Sequence, residues 1–172
     1  MSIPMLTLGG VPIVPHSGTA ALSLSKLRGS ARARMSRGKL VQMTHWSGKA
    51  AGTISGQGFM PPGLDGLNYD GPLELLSVQQ ENITVPELSV ALSSTPRPDC
   101  QPWAEALVGT KWHRTSCDFV DGVATATPVA GATLYSFFWL PAYWVFAEDP
   151  DKGADHTGAS RPCSWSFSWE EA

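Results

Sequence analysis

Residues 164–169 read Ser-Trp-Ser-Phe-Ser-Trp, a strict alternation of a small hydroxyl residue with a large aromatic one. Only an extended backbone puts side chains on opposite faces with a period of two, so Trp165, Phe167 and Trp169 must share one face and Ser164, Ser166 and Ser168 the other. Three large rings on one face need a core beneath them. The segment is therefore predicted to be a half-buried strand, and any fold for the chain has to supply a sheet that receives it.

The rest of the chain repeats this signal more weakly. Residues 20–27 alternate small polar with apolar residues. Gly29-Ser30 is read as a turn, and residues 31–35 as a second strand with Arg32 and Arg34 on one face and Ala31 and Ala33 on the other. Residues 39–46 and 49–58 flank Ser47-Gly48 and are predicted to form a β-hairpin about a tight turn there. The glycines of its second arm weaken a strand but permit bulges or close backbone approach. Residues 73–78, 85–92, 123–129, 132–140 and 143–146 read as further strands. Residues 103–107 suggest one helical turn, 111–119 are ambiguous, and 148–162 are predicted to be a long exposed loop. No repeat or heptad pattern is present.

Residues 59–72 are the most distinctive stretch: Phe-Met-Pro-Pro-Gly-Leu-Asp-Gly-Leu-Asn-Tyr-Asp-Gly-Pro. Pro61-Pro62-Gly63, Asp65-Gly66 and Asp70-Gly71-Pro72 each demand a turn. A loop of this length in a compact domain is usually functional or an ordered Ω-type loop. Because it carries Phe59, Met60, Leu64, Leu67 and Tyr69, it is too apolar for a solvated linker and should dock on its own domain or on a neighbouring subunit.

The chain has 172 residues, enough for one domain with a projecting part and a real core. Charged residues make up 16% of it, against roughly 25% in ordinary globular proteins. Low charge suits both a Ser- and Gly-rich β-protein and a surface whose centre is covered by partner chains. Charge is also unevenly placed. No Asp or Glu precedes Asp65, whereas Lys26, Arg28, Arg32, Arg34, Arg37, Lys39 and Lys49 all do. A basic stretch of this sort can meet nucleic acid or an anionic membrane, and head-to-tail complementarity between copies of a mildly acidic chain explains it equally well. Cys100, Cys117 and Cys163 are odd in number, and Met1-Ser2-Ile3-Pro4 does not begin a signal peptide, so a reducing compartment and a soluble protein are expected. The most apolar stretch, residues 133–146, is broken by Pro141 and falls short of the about 20 residues a bilayer span needs.

Patterns for catalysis fail one by one. Ser47-Gly48-Lys49 resembles the end of a phosphate loop, but Met43 stands where glycine and Ala50 where Ser or Thr is required. Gly56-Gln57-Gly58 lacks the third glycine and the helix of a dinucleotide fingerprint. His113 and Cys117 have helical i, i+4 spacing, with Cys100, Cys163 or His156 as further ligands, yet no Cys-x-x-Cys pair supports a metal site and buried thiols are the better reading. The pairs Asp65/Asp70 and Asp149/Asp151 lie in turn-rich segments, where Asp is favoured for backbone reasons. No nucleophile elbow is present, and a small hydrolase is the weakest reading. Neither cofactor nor metal is expected. Seven tryptophans point instead to core, interface or glycan contact. Trp165 and Trp169 are assigned to the core, and Trp46 and Trp112 stand beside basic residues, where a cation–π contact is open.

Three pieces together resemble a known group: Thr53-Ile54-Ser55-Gly56-Gln57-Gly58, the loop from Met60 to Tyr69 running into Pro72-Leu73-Glu74-Leu75, and the closing Trp165-Ser166-Phe167-Ser168-Trp169-Glu170-Glu171. The combination is similar to small tail-associated virion proteins of long-tailed bacteriophages, over about half the chain. The resemblance implies an all-β, antiparallel sandwich or barrel-like domain spanning residues 1–172, with 39–72 as a projecting hairpin and loop. It implies a non-enzymatic tail subunit, at the tip or baseplate, made in the host cytoplasm and carried in the virion. Such a subunit would form a ring with copies of itself and with other tail proteins through strand edges and loops, requiring no nucleic acid contact and no membrane insertion. Trp46, Phe59, Met60, Leu64, Leu67, Tyr69, Arg32 and Arg34 are the expected interface residues. A tail tube subunit is one alternative. Another is a glycan-binding virion module that uses exposed Trp and Tyr, Trp144 and Tyr143 among them, against a host surface glycan. Residues 148–162 have no counterpart in that group.

Overall fold

The computed structural model describes residues 4–154 and 162–172. Among them the fold is all-β: the sheets are antiparallel and the only helical element is a single 3-10 turn, Pro15–Ser17. The first strands are β1 (Thr7–Leu8), β2 (Val11–Pro12), β3 (Ala21–Arg34), β4 (Leu40–Gly58) and β5 (Leu73–Leu76). Then come β6 (Glu81–Val85), β7 (Ser89–Ala91), β8 (Trp103–Val108), β9 (Lys111–Thr115) and β10 (Cys117–Val120). The last are β11 (Val123–Ala126), β12 (Ala132–Trp139), β13 (Ala142–Ala147), β14 (Asp151–Ala154) and β15 (Cys163–Glu171). The chain forms two compact units, Met1–Pro12 with Glu74–Tyr143, and Ile13–Leu73 with Trp144–Ala172.

The first unit is a small sandwich and not a closed barrel. A four-stranded sheet, β6-β12-β8-β9, faces a three-stranded one, β10-β11-β7. Between them lie Ala104, Ala106, Tyr135 and Phe137 from the first sheet and Ala124 and Ala126 from the second, with Val85, Val90 and Phe119 packed at the margin. The pairs Tyr135↔Ala106 and Phe137↔Ala104 set a large ring beside a methyl group across the ladder. The expected helical turn at residues 103–107 is strand β8. Ala104 and Ala106 alternate into the core, and burial of that face overrides the helix preference of Ala, Glu and Leu. His113 and Cys117 fall on β9 and β10, in different sheets, so the i, i+4 helical face does not exist.

One buried cation organises the other end of this unit. Arg97 is 2% exposed. Its guanidinium donates to the Ser77 carbonyl (3.0 Å), the Met5 carbonyl (3.0 Å) and both carboxylate oxygens of Asp99 (2.5 and 2.8 Å). It thereby holds the segments beside β1 and β5, which pair Thr7↔Leu76 and Leu8↔Leu75. A second network joins Trp139 Nε1 to Ser94 Oγ (2.9 Å), Ser94 to Glu81 (2.6 Å) and Tyr143 Oη to Glu81 (3.1 Å). Arg97 and Trp139, the buried donors of these two networks, thus have partners, as a low-dielectric interior requires.

The second unit is built on the predicted closing strand. β15 pairs with β4 from Cys163↔Gly58 to Glu170↔Ala51, and its other edge is shared by β13 and β14. The aromatic face is buried as expected: Trp165, Phe167 and Trp169 are each under 5% exposed. Opposite these rings stand Gly56, Ile54 and Gly52. A Cβ at Gly56 would lie 2.5 Å from Cζ2 of Trp165, and one at Gly52 2.0 Å from the Ser23 carbonyl oxygen. The glycines of β4 thus leave the room that the tryptophans of β15 fill, the close approach their presence in a strand suggests. Trp165 Nε1 is satisfied by the Ser17 carbonyl at 2.8 Å.

Two expected turns are absent. Gly29-Ser30 and Ser47-Gly48 lie inside one continuous ladder from Ala21↔Ser55 to Arg34↔Leu40. Gly48 drops out between Leu27↔Lys49 and Arg28↔Ser47, and His45 between Gly29↔Trp46 and Ser30↔Thr44. These are β-bulges, and Gly48 has φ 95°, a conformation costly for residues with a Cβ. The true hairpin turn is at residues 35–39, closed by Met35 N–H to the Lys39 carbonyl (3.0 Å) and Gly38 N–H to the Met35 carbonyl (2.8 Å). Residues 148–162 are not wholly loop, since β14 lies within them; residues 155–161, His156 included, lie outside the described residues.

Candidate assembly surface

β15 covers β4 only as far as Ala51. Beyond that point β3 and β4 continue as a two-stranded ribbon, and β3 pairs with no second strand among the described residues. Every residue from Ser30 to Lys49 is exposed except Val41, which is half-buried. From Arg28 to Arg34 the ribbon extends by about 20 Å at 3.3 Å per residue. An isolated hairpin in water is marginal at best, and a long open edge is a template for another chain.

The register makes this arm amphipathic, because directly paired residues project to the same side. One side carries Gly29, Ala31 and Ala33 opposite Trp46, Met43 and Val41. The other carries Arg28, Ser30, Arg32 and Arg34 opposite Ser47, Thr44, Gln42 and Leu40. Arg32 Nε donates to Gln42 Oε1 at 3.0 Å and Arg34 to the Gly38 carbonyl at 3.2 Å, which orders the basic side. Trp46 lies over Gly29, where any Cβ would meet the indole at 2.2 Å. Met35, Leu40, Met43 and Trp46 are all more than half exposed.

The expected interface residues separate into two groups. Trp46, Arg32 and Arg34 sit together on the arm. Of the loop, Phe59 (78% exposed) and Met60 are open, whereas Leu64 is fully enclosed and Leu67 and Tyr69 are half-buried. The loop docks on its own unit: Phe59 N–H donates to the His16 carbonyl (2.9 Å), Ser17 Oγ to that of Pro61 (3.4 Å) and Tyr69 Oη to that of Leu64 (2.9 Å). Asp65 pairs with Lys152. Burial, with Asp149 and Asp65 nearby, pushes the Tyr69 phenol above its ordinary range, so it stays a neutral donor to that carbonyl. Leu64 therefore belongs to the unit's own core and not to a free surface.

Two further exposed aromatics of the second unit are Trp144, 61% exposed and named in the sequence as a glycan-stacking candidate, and Phe146, which the sequence did not single out. They alternate on β13, with Tyr143 and Val145 buried on its other face. Phe146 pairs with Glu170, and the next positions across the sheet are Ala51 and Ser25. The following row reads Ser168, Thr53, Ser23. This open face of small side chains forms a depression of about 620 Å3 bounded by Phe146, Glu148 and Glu170. All-apolar residues 143–146 conceal it in the sequence, because nothing there tells which face is covered.

Elsewhere, among the described residues, no three His, Cys, Asp or Glu side chains converge as metal ligands. Burial and the neighbouring Asp118 push the half-buried Cys117 thiol up, the opposite of an activated nucleophile. A cation–π contact forms at Arg114 over Trp103, 5.6 Å from the ring centre. No helix of the described residues is long and apolar enough to cross a membrane. No protein family model, curated protein or solved structure matches the chain.

Proposed function

We propose that this chain is a non-enzymatic structural subunit that assembles with neighbouring subunits through its β3–β4 arm, in the tail tip or baseplate of a long-tailed bacteriophage virion. One observation carries the assembly reading: a ribbon about 20 Å long that is basic on one side and apolar on the other, with no second layer against it among the described residues. Nucleic acid would answer the arginines but leave Met43, Val41 and Trp46 wet, whereas a protein surface answers both. The tail assignment rests on the likeness of residues 53–75 and 165–171 to tail-associated proteins. Imaging virions labelled on this protein tests it: signal at the distal end is expected, signal along the whole tube supports the tube alternative, and absence from the particle overturns the assignment.

The glycan-binding alternative is favoured by the exposed Trp144, and by the exposed Phe146 beside Glu148 and Glu170. Tyr143 has no part in it, because it is 3% exposed and bonded to Glu81. Saturable oligosaccharide binding that is lost in Trp144→Ala would establish that reading in place of assembly.

A further inference from the structure

We propose that the arm of one copy docks its tip into the open-face depression of a second copy, head to tail, so that each chain both gives an arm and receives one. This rests on the assembly reading above and names its partner surface.

Large exposed apolar side chains of the second unit cluster in three places: the arm (Met35, Leu40, Met43, Trp46), the loop start (Phe59, Met60) and β13 (Trp144, Phe146). The first and third are of opposite charge. Every Lys and Arg before Asp65 lies in the β3–β4 hairpin, and its tip places Met35 and Leu40 among Arg34, Arg37 and Lys39 with no acid. The depression places Phe146 between the exposed carboxylates of Glu148 and Glu170 above a floor of Ser25, Thr53 and Ser168. Small floor residues let a ribbon approach the sheet closely, a rim aromatic meets Met35 or Leu40, and two acids meet two or three bases. The arm cannot satisfy its own chain, because its ladder is continuous and carries the tip away from the depression. A tip fitting a different surface on the next copy is a heterologous contact, which closes into a ring when the rotation allows.

The test uses the full chain and two charge-reversal pairs, Arg37→Glu with Lys39→Glu on the tip, and Glu148→Lys with Glu170→Lys on the depression. All four residues are exposed, so circular dichroism should match the wild type. Sedimentation velocity is expected to show that each pair alone weakens self-association by at least about tenfold, since like charges then face each other. An equimolar mixture of the two variants should recover assembly, because each reversed tip then meets an oppositely charged depression. Variants that assemble as the wild type does, or a mixture that stays dispersed while the wild type assembles, would overturn this docking and leave assembly by another surface. A wild-type chain that remains monomeric at millimolar concentration overturns self-docking outright, and virion labelling then decides the tail assignment separately.

Discussion

Substituting Gly56 by Ala tests whether the second unit owes its stability to glycine and tryptophan fitting one another across β4 and β15. The new Cβ would stand 2.5 Å from Cζ2 and 2.8 Å from Cε2 of Trp165. Carbon atoms prefer about 3.5–4.0 Å, so the ring must move by about 1 Å. Trp165 is 2% exposed and its Nε1 bonds the Ser17 carbonyl at 2.8 Å, a bond that such a shift breaks. Overpacking costs about 1–3 kcal/mol and the lost hydrogen bond about 1 kcal/mol, offset by about 0.4–1 kcal/mol from the stiffer unfolded chain. The net expectation is a loss of about 2–3 kcal/mol, read from urea unfolding as a lower midpoint at unchanged slope. Gly66→Ala is the control: no atom lies within 4 Å of its Cβ position, and stability should stay within about 0.5 kcal/mol. Trp165→Phe removes the clashing atoms, so the double variant should be more stable than the sum of the single losses by about 1 kcal/mol or more. A neutral Gly56→Ala, or strict additivity in that cycle, would refute the reasoning.

Replacing residues 30–45 by Asn-Gly, so that Gly29 and Trp46 flank a two-residue turn, should leave unfolding free energy within about 1 kcal/mol while abolishing self-association, as monitored by urea unfolding and light scattering. Arg97→Ala should cost about 3 kcal/mol by chemical unfolding, since it strands the Ser77 and Met5 carbonyls in the first unit. Asp99 is held below its ordinary 3.8 by the hydrogen bond from Arg97. A depressed carboxyl stabilises the folded chain above its unfolded value, so that contribution is present above about pH 4 and lost as pH falls through the folded value. Because Asp99 is half exposed, the amount is about 0.5–1 kcal/mol. Asp99→Asn should flatten that part of the acid-unfolding profile, and an unchanged profile would exclude the pair as its source.

The strand at the C-terminal end is legible because one face is buried and the other open, which is the condition under which a period of two is written into the residues. β13 meets the same condition, with Tyr143 and Val145 buried and Trp144 and Phe146 exposed, but its open face is apolar too, so the sequence names a strand and not the covered side. The hairpin is misplaced for a different reason. Gly29-Ser30 and Ser47-Gly48 both have turn chemistry, yet Gly48 serves a bulge at positive φ and Gly29 makes room for the Trp46 indole, so local residues do not distinguish a reversal from an irregularity inside a continuous ladder. The loop at residues 59–72 is apolar enough in sequence to require docking, and it docks on its own unit instead of projecting; whether Leu64 meets its own unit or a neighbour is a tertiary fact. Residues 103–107 favour a helix by composition and form β8 because Ala104 and Ala106 fit beneath Phe137 and Tyr135. The basic and apolar sides of the arm follow from alternation alone, since Arg32 and Arg34 fall opposite to Ala31 and Ala33 whatever their partners are.

Amide hydrogen exchange across residues 28–47, compared between dilute and self-associated protein, probes most directly whether neighbouring chains cover the arm. Fast exchange in the dilute state and strong slowing on association, with β8 and β12 protected alike in both, is the expected result. Equal exchange of the arm in both states would contradict its role in assembly.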